Sequence, residues 1–310
     1  MMRVERFTDV ARFYELAAPM LMQREAENNF ELGLAARLRQ EAPDPKHFHA
    51  LVMDRDEVLA AAMMTPPWPL VVSRGPEAAV VALAEYVYRQ SIDVTEIGGP
   101  VVAAERCAQA LATLVHRSVK LKTLMRIMQA QRVIPPRPAS GAMRIAGPGD
   151  LELVLKWMDA FVRDIGETHP LPRQRIEQRV ANTEYHFWED PRPVSIAGRT
   201  GRTPTGVRIN AVYTPPEFRG RGYASNLVAK LTQKLFDEGR KFCFLYTDAA
   251  NPTSNKIYEA IGYEFVCEWV NLELVPQHDK SAVTPRSTAA HKVAGTSGSS
   301  PEAHHARPGR

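Results

Sequence analysis

Between Val133 and Gly147 the chain reads VIPPRPASGAMRIAG, with three prolines and two glycines. Proline removes backbone donors and stiffens the chain, so neither a helix interior nor a central strand fits there. The 310 residues therefore fall into two halves, as a chain of this length invites. Read by hydrophobic period, each half has the same order of elements, β-α-α-β-β-β-α-β-α-β. The expected organisation is 1–134, a linker at 135–142, 143–275, and a tail at 276–310.

In the second half the order starts with a short strand at 143–146. A helix at 150–165 follows, with Leu151, Val154, Leu155, Met158, Phe161 and Val162 on one face. A second helix covers 173–181, and strands cover 185–188, 193–198 and 207–213. A helix at 224–238 ends before Gly239, a residue suited to a helix C-terminus. Then come a buried strand at 242–247, a short helix at 254–260 and a long extended run at 263–275. The first half repeats this less sharply. Strands are expected at 3–7, 48–53, 58–64, 70–72 and 95–97, helices at 10–22, 31–39, 78–89 and 105–117, and extended structure at 121–133.

Charge decides which partners remain open. The net charge is +4 and the pI about 9.0, values that invite a nucleic-acid reading. The segment 276–310 carries five basic residues (Lys280, Arg286, Lys292, Arg307, Arg310) against two acidic ones (Asp279, Glu302). Three of the four net charges thus lie in a Ser-, Thr-, Ala-, Gly- and Pro-rich segment without aromatics, expected to be a disordered tail. The remaining body is close to neutral, and no nucleic-acid partner is expected. Cys107, Cys243 and Cys267 are odd in number and widely spaced, with no Cys-x-x-Cys pair, so neither a disulfide framework nor a zinc site is expected. The start, MMRVERFTDV, has no apolar signal run, and 58–72 is broken by Pro66, Pro67 and Pro69. A cytoplasmic protein without a membrane partner is the expectation.

One strand-to-helix junction carries chemistry: VYTPPEFRGRGYASNLVAKL. Arg219, Gly220, Arg221, Gly222, Tyr223 and Ala224 give Arg-x-x-Gly-x-Ala, running through Ser225 into the helix. Glycines let a backbone approach closely, and N–H groups of the loop and first turn point outward with the helix dipole behind them. Arg219 and Arg221 add charge-assisted donors for phosphate. Neither a Walker loop nor a dinucleotide fingerprint is present. After the helix the chain reads LYTDAANPTSNKIYEAIGYEFV, with Asn251, then Tyr258 seven residues on, then Gly262 and Tyr263.

These two blocks together resemble the GNAT superfamily of acyl-CoA-dependent N-acyltransferases, over residues 207–266. The second half is similar to the FR47-like and glycine-acyltransferase-like members. The resemblance implies an α/β (α+β) fold of tandem GNAT-like domains, each a mixed, mostly antiparallel sheet flanked by helices. It implies acetyl-CoA, or another acyl-CoA, as co-substrate, with no metal. The first half, with only Ser73, Arg74, Gly75 and Pro76 at its equivalent junction, lacks the loop and the Asn…Tyr block. Acyl-CoA binding is therefore expected in the second half alone, the first packing, dimerising or shaping the acceptor pocket.

In such enzymes an amine attacks the thioester directly. The resemblance places Val212, Tyr213 and Thr214 at the oxyanion and pantetheine edge and the 219–225 loop at the pyrophosphate. Asn251 and Asn255 fall on the pantetheine arm, and Tyr258 at the acid for the leaving thiolate; helix capping and packing are the alternatives for these residues. The strand VRINAVY carries no carboxylate, so the base stays open among Glu217, Asp248, Glu189, Asp190 and water. The resemblance sets the acceptor site beside the connection between the first two helices of the second half, with Glu167 and His169, where His169 could bind substrate or act as base. The resemblance implies a small-molecule or amino-acid amine as acceptor, and a homodimer is one arrangement open to the chain. A non-catalytic acyl-CoA-binding or interaction protein is the competing class.

Overall fold

The structure is a computed structural model describing residues 2–167 and 169–277. The tail expected from 276 lies outside the described residues, apart from Pro276 and Gln277.

The first repeat runs β1 (Met2–Arg6), α1 (Val10–Leu21), α2 (Asn29–Leu38), β2 (Phe48–Asp54), β3 (Glu57–Met64), β4 (Leu70–Val72), α3 (Glu77–Arg89), β5 (Glu96–Pro100), α4 (Val101–Leu114) and β6 (Arg117–Ala130). The second runs β7 (Ala142–Ile145), α5 (Leu151–Asp164), α6 (Arg173–Ala181), β8 (Tyr185–Glu189), β9 (Pro193–Thr200), β10 (Gly206–Tyr213), α7 (Tyr223–Asp237), β11 (Phe242–Asp248), α8 (Pro252–Ala260) and β12 (Tyr263–Pro276). The order is β-α-α-β-β-β-α-β-α-β in both.

Residues 1–277 form one unit around a single 12-stranded sheet, ordered β1-β2-β3-β4-β5-β12-β6-β11-β10-β9-β8-β7. Among the described residues only β4–β5 and β10–β11 are parallel pairs; the rest are antiparallel, so the sheet is mixed and mostly antiparallel. The two halves of the sheet are stitched by their last strands. β12, from the second repeat, pairs with β5 of the first, and β6, from the first, pairs with β11 of the second. β6 and β12 pair with each other along the centre, from Tyr263 opposite Ala130 to Pro276 opposite Arg117.

Helices cover both faces, because side chains alternate across each strand and both sets are apolar. In the second repeat, Val207, Ile209, Cys243 and Leu245 pack with Leu227, Val228 and Leu231 of α7 on one face. Phe187, Ile196, Ala211 and Tyr213 pack with Trp157 and Met158 of α5 on the other. α4 starts four residues earlier than its expected position at 105. Pro100 stands at its N-cap position, and the Gly98-Gly99 pair lets β5 run close against β4 up to that point. A Cβ at residue 99 would lie 2.5 Å from the Val72 carbonyl oxygen.

Candidate functional site

β10 and β11 run side by side only from Gly206–Arg208 against Phe242–Phe244. Beyond Arg208 they separate, and β11 stays with β6 through Asp248. β10 also changes register against β9 between Asn210 and Tyr213, where Ala211 takes φ 51°. This is a β-bulge, which interrupts a ladder and re-aims the residues around it. The arm from Ile209 to Tyr213 therefore presents backbone groups to an opening that β11 does not fill. In the first repeat the corresponding strands meet at Leu70–Ile97 and Val71–Gly98, and the Val72 carbonyl oxygen lies 2.5 Å from where a Cβ on Gly99 would stand.

At the end of the β10 arm a short turn, Pro216–Phe218, leads to the glycine loop. Gly220 has φ 76° and Gly222 φ 79°, left-handed values that glycine adopts without strain. Gly222 stands at the N-cap of α7, and no side chain caps the helix there. The first-turn N–H groups of Tyr223, Ala224 and Ser225 thus face outward at a helix start, the arrangement that accepts anions. No heavy atom lies within 4 Å of the point where a Cβ on Gly220 would stand.

The two arginines differ. Arg219 donates from Nε to the Thr214 carbonyl at 2.8 Å and pairs with Asp164 of α5, which braces the loop against the strand end. Arg221 is exposed, and its charge helps hold Asp190 below the usual carboxylate range. The larger causes of that shift are bonds from the Ser140 and Tyr223 hydroxyls, the latter at 2.8 Å. The segment joining the repeats lies along the same helix start, where Asn226 Nδ2 donates to the Arg137 carbonyl at 3.0 Å.

α8 brings the Asn…Tyr block to the other side of the opening. Asn251 accepts from Ser254 N at 3.0 Å, so its side-chain oxygen caps the helix. Asn255 is 6% exposed. Its Nδ2 donates to the Asp248 carbonyl at 3.2 Å, while its Oδ1 is buried without a hydrogen-bond partner. Tyr258 packs edge-on to Tyr263, ring centroids 6.1 Å apart, and burial pushes its hydroxyl up to about 12. It keeps its proton through the neutral range.

The carboxylates raised as bases are placed as follows. Asp248 accepts from Ala250 N at 2.8 Å and belongs to the turn after β11. Asp190 is held ionised as described, and Glu189 pairs with Arg144. Glu217 is exposed on the turn before the loop. Glu167 accepts from His169 N at 3.2 Å, and the His169 ring meets Trp68 of the first repeat at 5.8 Å. Val212 packs towards α7, Tyr213 towards Trp157, and the Thr214 hydroxyl lies 2.9 Å from that of buried Ser195.

Near this end of β10 stand a buried carboxyl and a half-buried guanidinium that no motif signalled. Glu31 of α2 is 0% exposed, with neither carboxylate oxygen hydrogen-bonded. Arg208 of β10 lies near it, its guanidinium 5.1 Å from the Phe30 ring centroid and 5.6 Å from that of Tyr246. The signal available in the sequence was a carboxylate on the apolar stripe of a helix, Glu31 aligned with Ala35 and Leu38. Among the described residues no group of three or more His, Cys, Asp or Glu is placed to hold a metal ion. No described helix is long and apolar enough to cross a membrane.

Residues 190–270, spanning the opening and both motif blocks, match the FR47-like protein family. No curated protein sequence matches the chain. Solved structures do. A GCN5-related N-acetyltransferase from Sphaerobacter thermophilus superposes with a TM-score of 0.61 at 18% identity, over 90% of this chain and 97% of its own. A Drosophila protein gives 0.63 at 12% identity, over 88% and 98%. A tandem GNAT protein from the clavulanic acid biosynthesis pathway gives 0.54 at 13% identity, over 90% and 100%. At such identities the likeness carries the fold.

Proposed function

We propose, from the tandem GNAT fold of this chain, that it is an acyltransferase drawing its acyl group from acyl-CoA and passing it to a primary amine. Acetyl-CoA is the proposed donor. The observation that carries the reading is the coincidence, at one end of the second repeat, of a splayed and bulged β10 with a left-handed glycine loop at the start of α7.

The residues present fit the co-substrate. The N–H groups at 220–225 suit a pyrophosphate, and Arg221 adds charge beside them. The orphaned Asn255 Oδ1 suits an amide N–H of a pantetheine arm, because a buried acceptor without a partner costs about 1–3 kcal/mol until one arrives. The arm from Ile209 to Tyr213 has ladder groups for the same arm. The backbone N–H at Val212, with Tyr213 beside it, is proposed as the oxyanion donor, a role worth about 2.7–4 kcal/mol of barrier. Tyr258 holds a proton for the leaving thiolate. Glu167 and His169 are proposed to border the amine.

Calorimetry with acetyl-CoA and thiol release over a panel of amines test this. One site per chain is expected, since the junction after β4, Ser73-Arg74-Gly75-Pro76, lacks the glycine loop. Tyr258→Phe is expected to lower kcat about 100-fold, the scale of a lost general acid, with acetyl-CoA affinity unchanged. Binding with no turnover on any amine would leave an acyl-CoA-binding protein and end the transferase reading.

A further inference from the structure

The segment joining the repeats follows α7 from its end to its start. After β6, Val133 lines a surface depression with Gln233 and Phe236, late in that helix. Further on the segment is tied down at three points beside the first turn. The Asn226 Nδ2 that donates to the Gly222 carbonyl also donates to the Arg137 carbonyl, both at 3.0 Å. Ala139 lies 3.9 Å from where a Cβ on Gly222 would stand. The Ser140 carbonyl accepts from Trp188 Nε1 at 2.7 Å. Pro135, Pro136 and Pro138 flank Arg137 and stiffen the backbone around these anchors. Arg137 is thereby fixed next to the glycine loop, although it belongs to neither motif block.

The arginines around this helix start divide by their partners. Arg219 is braced by Thr214 and Asp164. Arg137 and Arg221 are exposed and form no ion pair among the described residues. A guanidinium offers phosphate two parallel donors, and outward-facing N–H groups nearby favour the same charge. A helix start alone identifies no ligand. Here a second mark of one stands at the inner end of the site, where Asn255 is 6% exposed and its Oδ1 has no partner. Acyl-CoA carries phosphate in two places. The pyrophosphate joins the pantetheine arm to the ribose, and the ribose bears a separate 3′-phosphate. With the arm running inward from the loop to Asn255, the ribose is left at the outer surface of the α7 start, where the joining segment lies.

We propose that Arg137, carried by the segment between the repeats, binds the 3′-phosphate of acyl-CoA and makes the site select CoA over donors that lack this group. This rests on the acyl-CoA reading of the glycine loop. The pyrophosphate falls to the N–H groups at 220–225 and to Arg221, and the 3′-phosphate to the Arg137 guanidinium. Because the backbone at 137 is already held, docking the phosphate orders only one side chain, which keeps the cost of binding low. No bond is made or broken at Arg137. It acts on donor affinity and donor choice, away from the thioester.

Calorimetry on the full chain, with acetyl-CoA and with 3′-dephospho-acetyl-CoA, tests this. The wild type is expected to bind acetyl-CoA about 5- to 10-fold more tightly, the scale of one exposed charge-assisted contact to phosphate. Arg137→Gln is expected to lose about that factor for acetyl-CoA, to keep its affinity for the dephospho donor within about twofold, and to melt at the wild-type temperature. Arg137→Lys is expected to retain part of the preference, and added salt to shrink it in the wild type. A merely structural Arg137 would weaken both donors alike, which overturns the proposal. Equal wild-type affinity for the two donors overturns it as well, as does a preference that survives in Arg137→Gln. Each of these outcomes leaves the acyl-CoA reading standing. A wild-type chain that binds neither donor overturns both.

Discussion

His186 on β8 is 0% exposed with both ring nitrogens unpartnered, and His49 on β2 is 2% exposed with Nε2 unpartnered. Burial pushes each down to about 4, with the charges of Arg199 and Lys234 adding at His186 and those of His47 and Arg6 adding at His49. In the unfolded chain each takes a proton near 6.5. The folded state thus binds fewer protons between those values. The stability these histidines contribute is complete above pH 6.5 and is lost as pH falls towards 4, up to about 3 kcal/mol each. Glu31 runs the other way. Folded, it keeps its proton to about 8; unfolded, it releases it near 4.5. Its contribution is complete below pH 4.5 and is lost as pH rises through 8. Thermal denaturation across pH should therefore peak near 6.5, and Glu31→Gln should flatten the alkaline side. Overlapping wild-type and variant curves between pH 6.5 and 8 would contradict this. Tyr258 and Asn255 stand out as candidates in the sequence because their spacing from Asn251 is a local pattern. Glu31 does not, because its significance lies in Arg208 and Tyr246, far away in sequence.

The turn into α7 is the element whose geometry has the sharpest consequence. Alanine at 222 would meet only ordinary contacts, Asn226 at 3.6 Å and Ala139 at 3.9 Å. Its cost is the left-handed backbone, about 1–2 kcal/mol. If the loop relaxes to escape that strain, binding must restore it. Gly222→Ala is expected to weaken acetyl-CoA binding about 5- to 30-fold, the same free energy expressed in Kd. A Kd within twofold of wild type would show that the loop is not the anion cradle. The Arg/Gly run before an apolar helix is legible because only glycine accepts such turns cheaply. The bulge at Ala211 is marked only by the break of alternation at Ala211-Val212-Tyr213, and VRINAVY carries no glycine to identify the extra residue. Nor does any local pattern show that β10 and β11 part after three paired residues, since what holds β11 away is its ladder with β6.

At the scale of the molecule, the exchange of last strands makes each repeat incomplete. Within the second repeat β11 and β12 are not neighbours, because β6 lies between them; within the first, β5 and β6 are separated by β12. Each half alone would carry a gap of one strand, about 10 Å between the flanking strands. β11 and β12 point the same way, both antiparallel to β6, and α8 fixes the crossover between them. β6 and β12 are each long, alternating and half-buried, so either could be read as completing its own repeat. Pairing partners are set by what remains open elsewhere, which is why the duplication is legible in the sequence and the exchange is not. Residues 142–277 produced alone should therefore leave the β6-facing edge of β11, from Cys243 to Asp248, without its ladder, at about 1 kcal/mol for each lost bond. We expect no cooperative melt from this fragment as a monomer, and a folded complex that binds acetyl-CoA when residues 1–141 are co-expressed with it. A folded monomer of the fragment with wild-type acetyl-CoA affinity would show that the second repeat completes its own sheet.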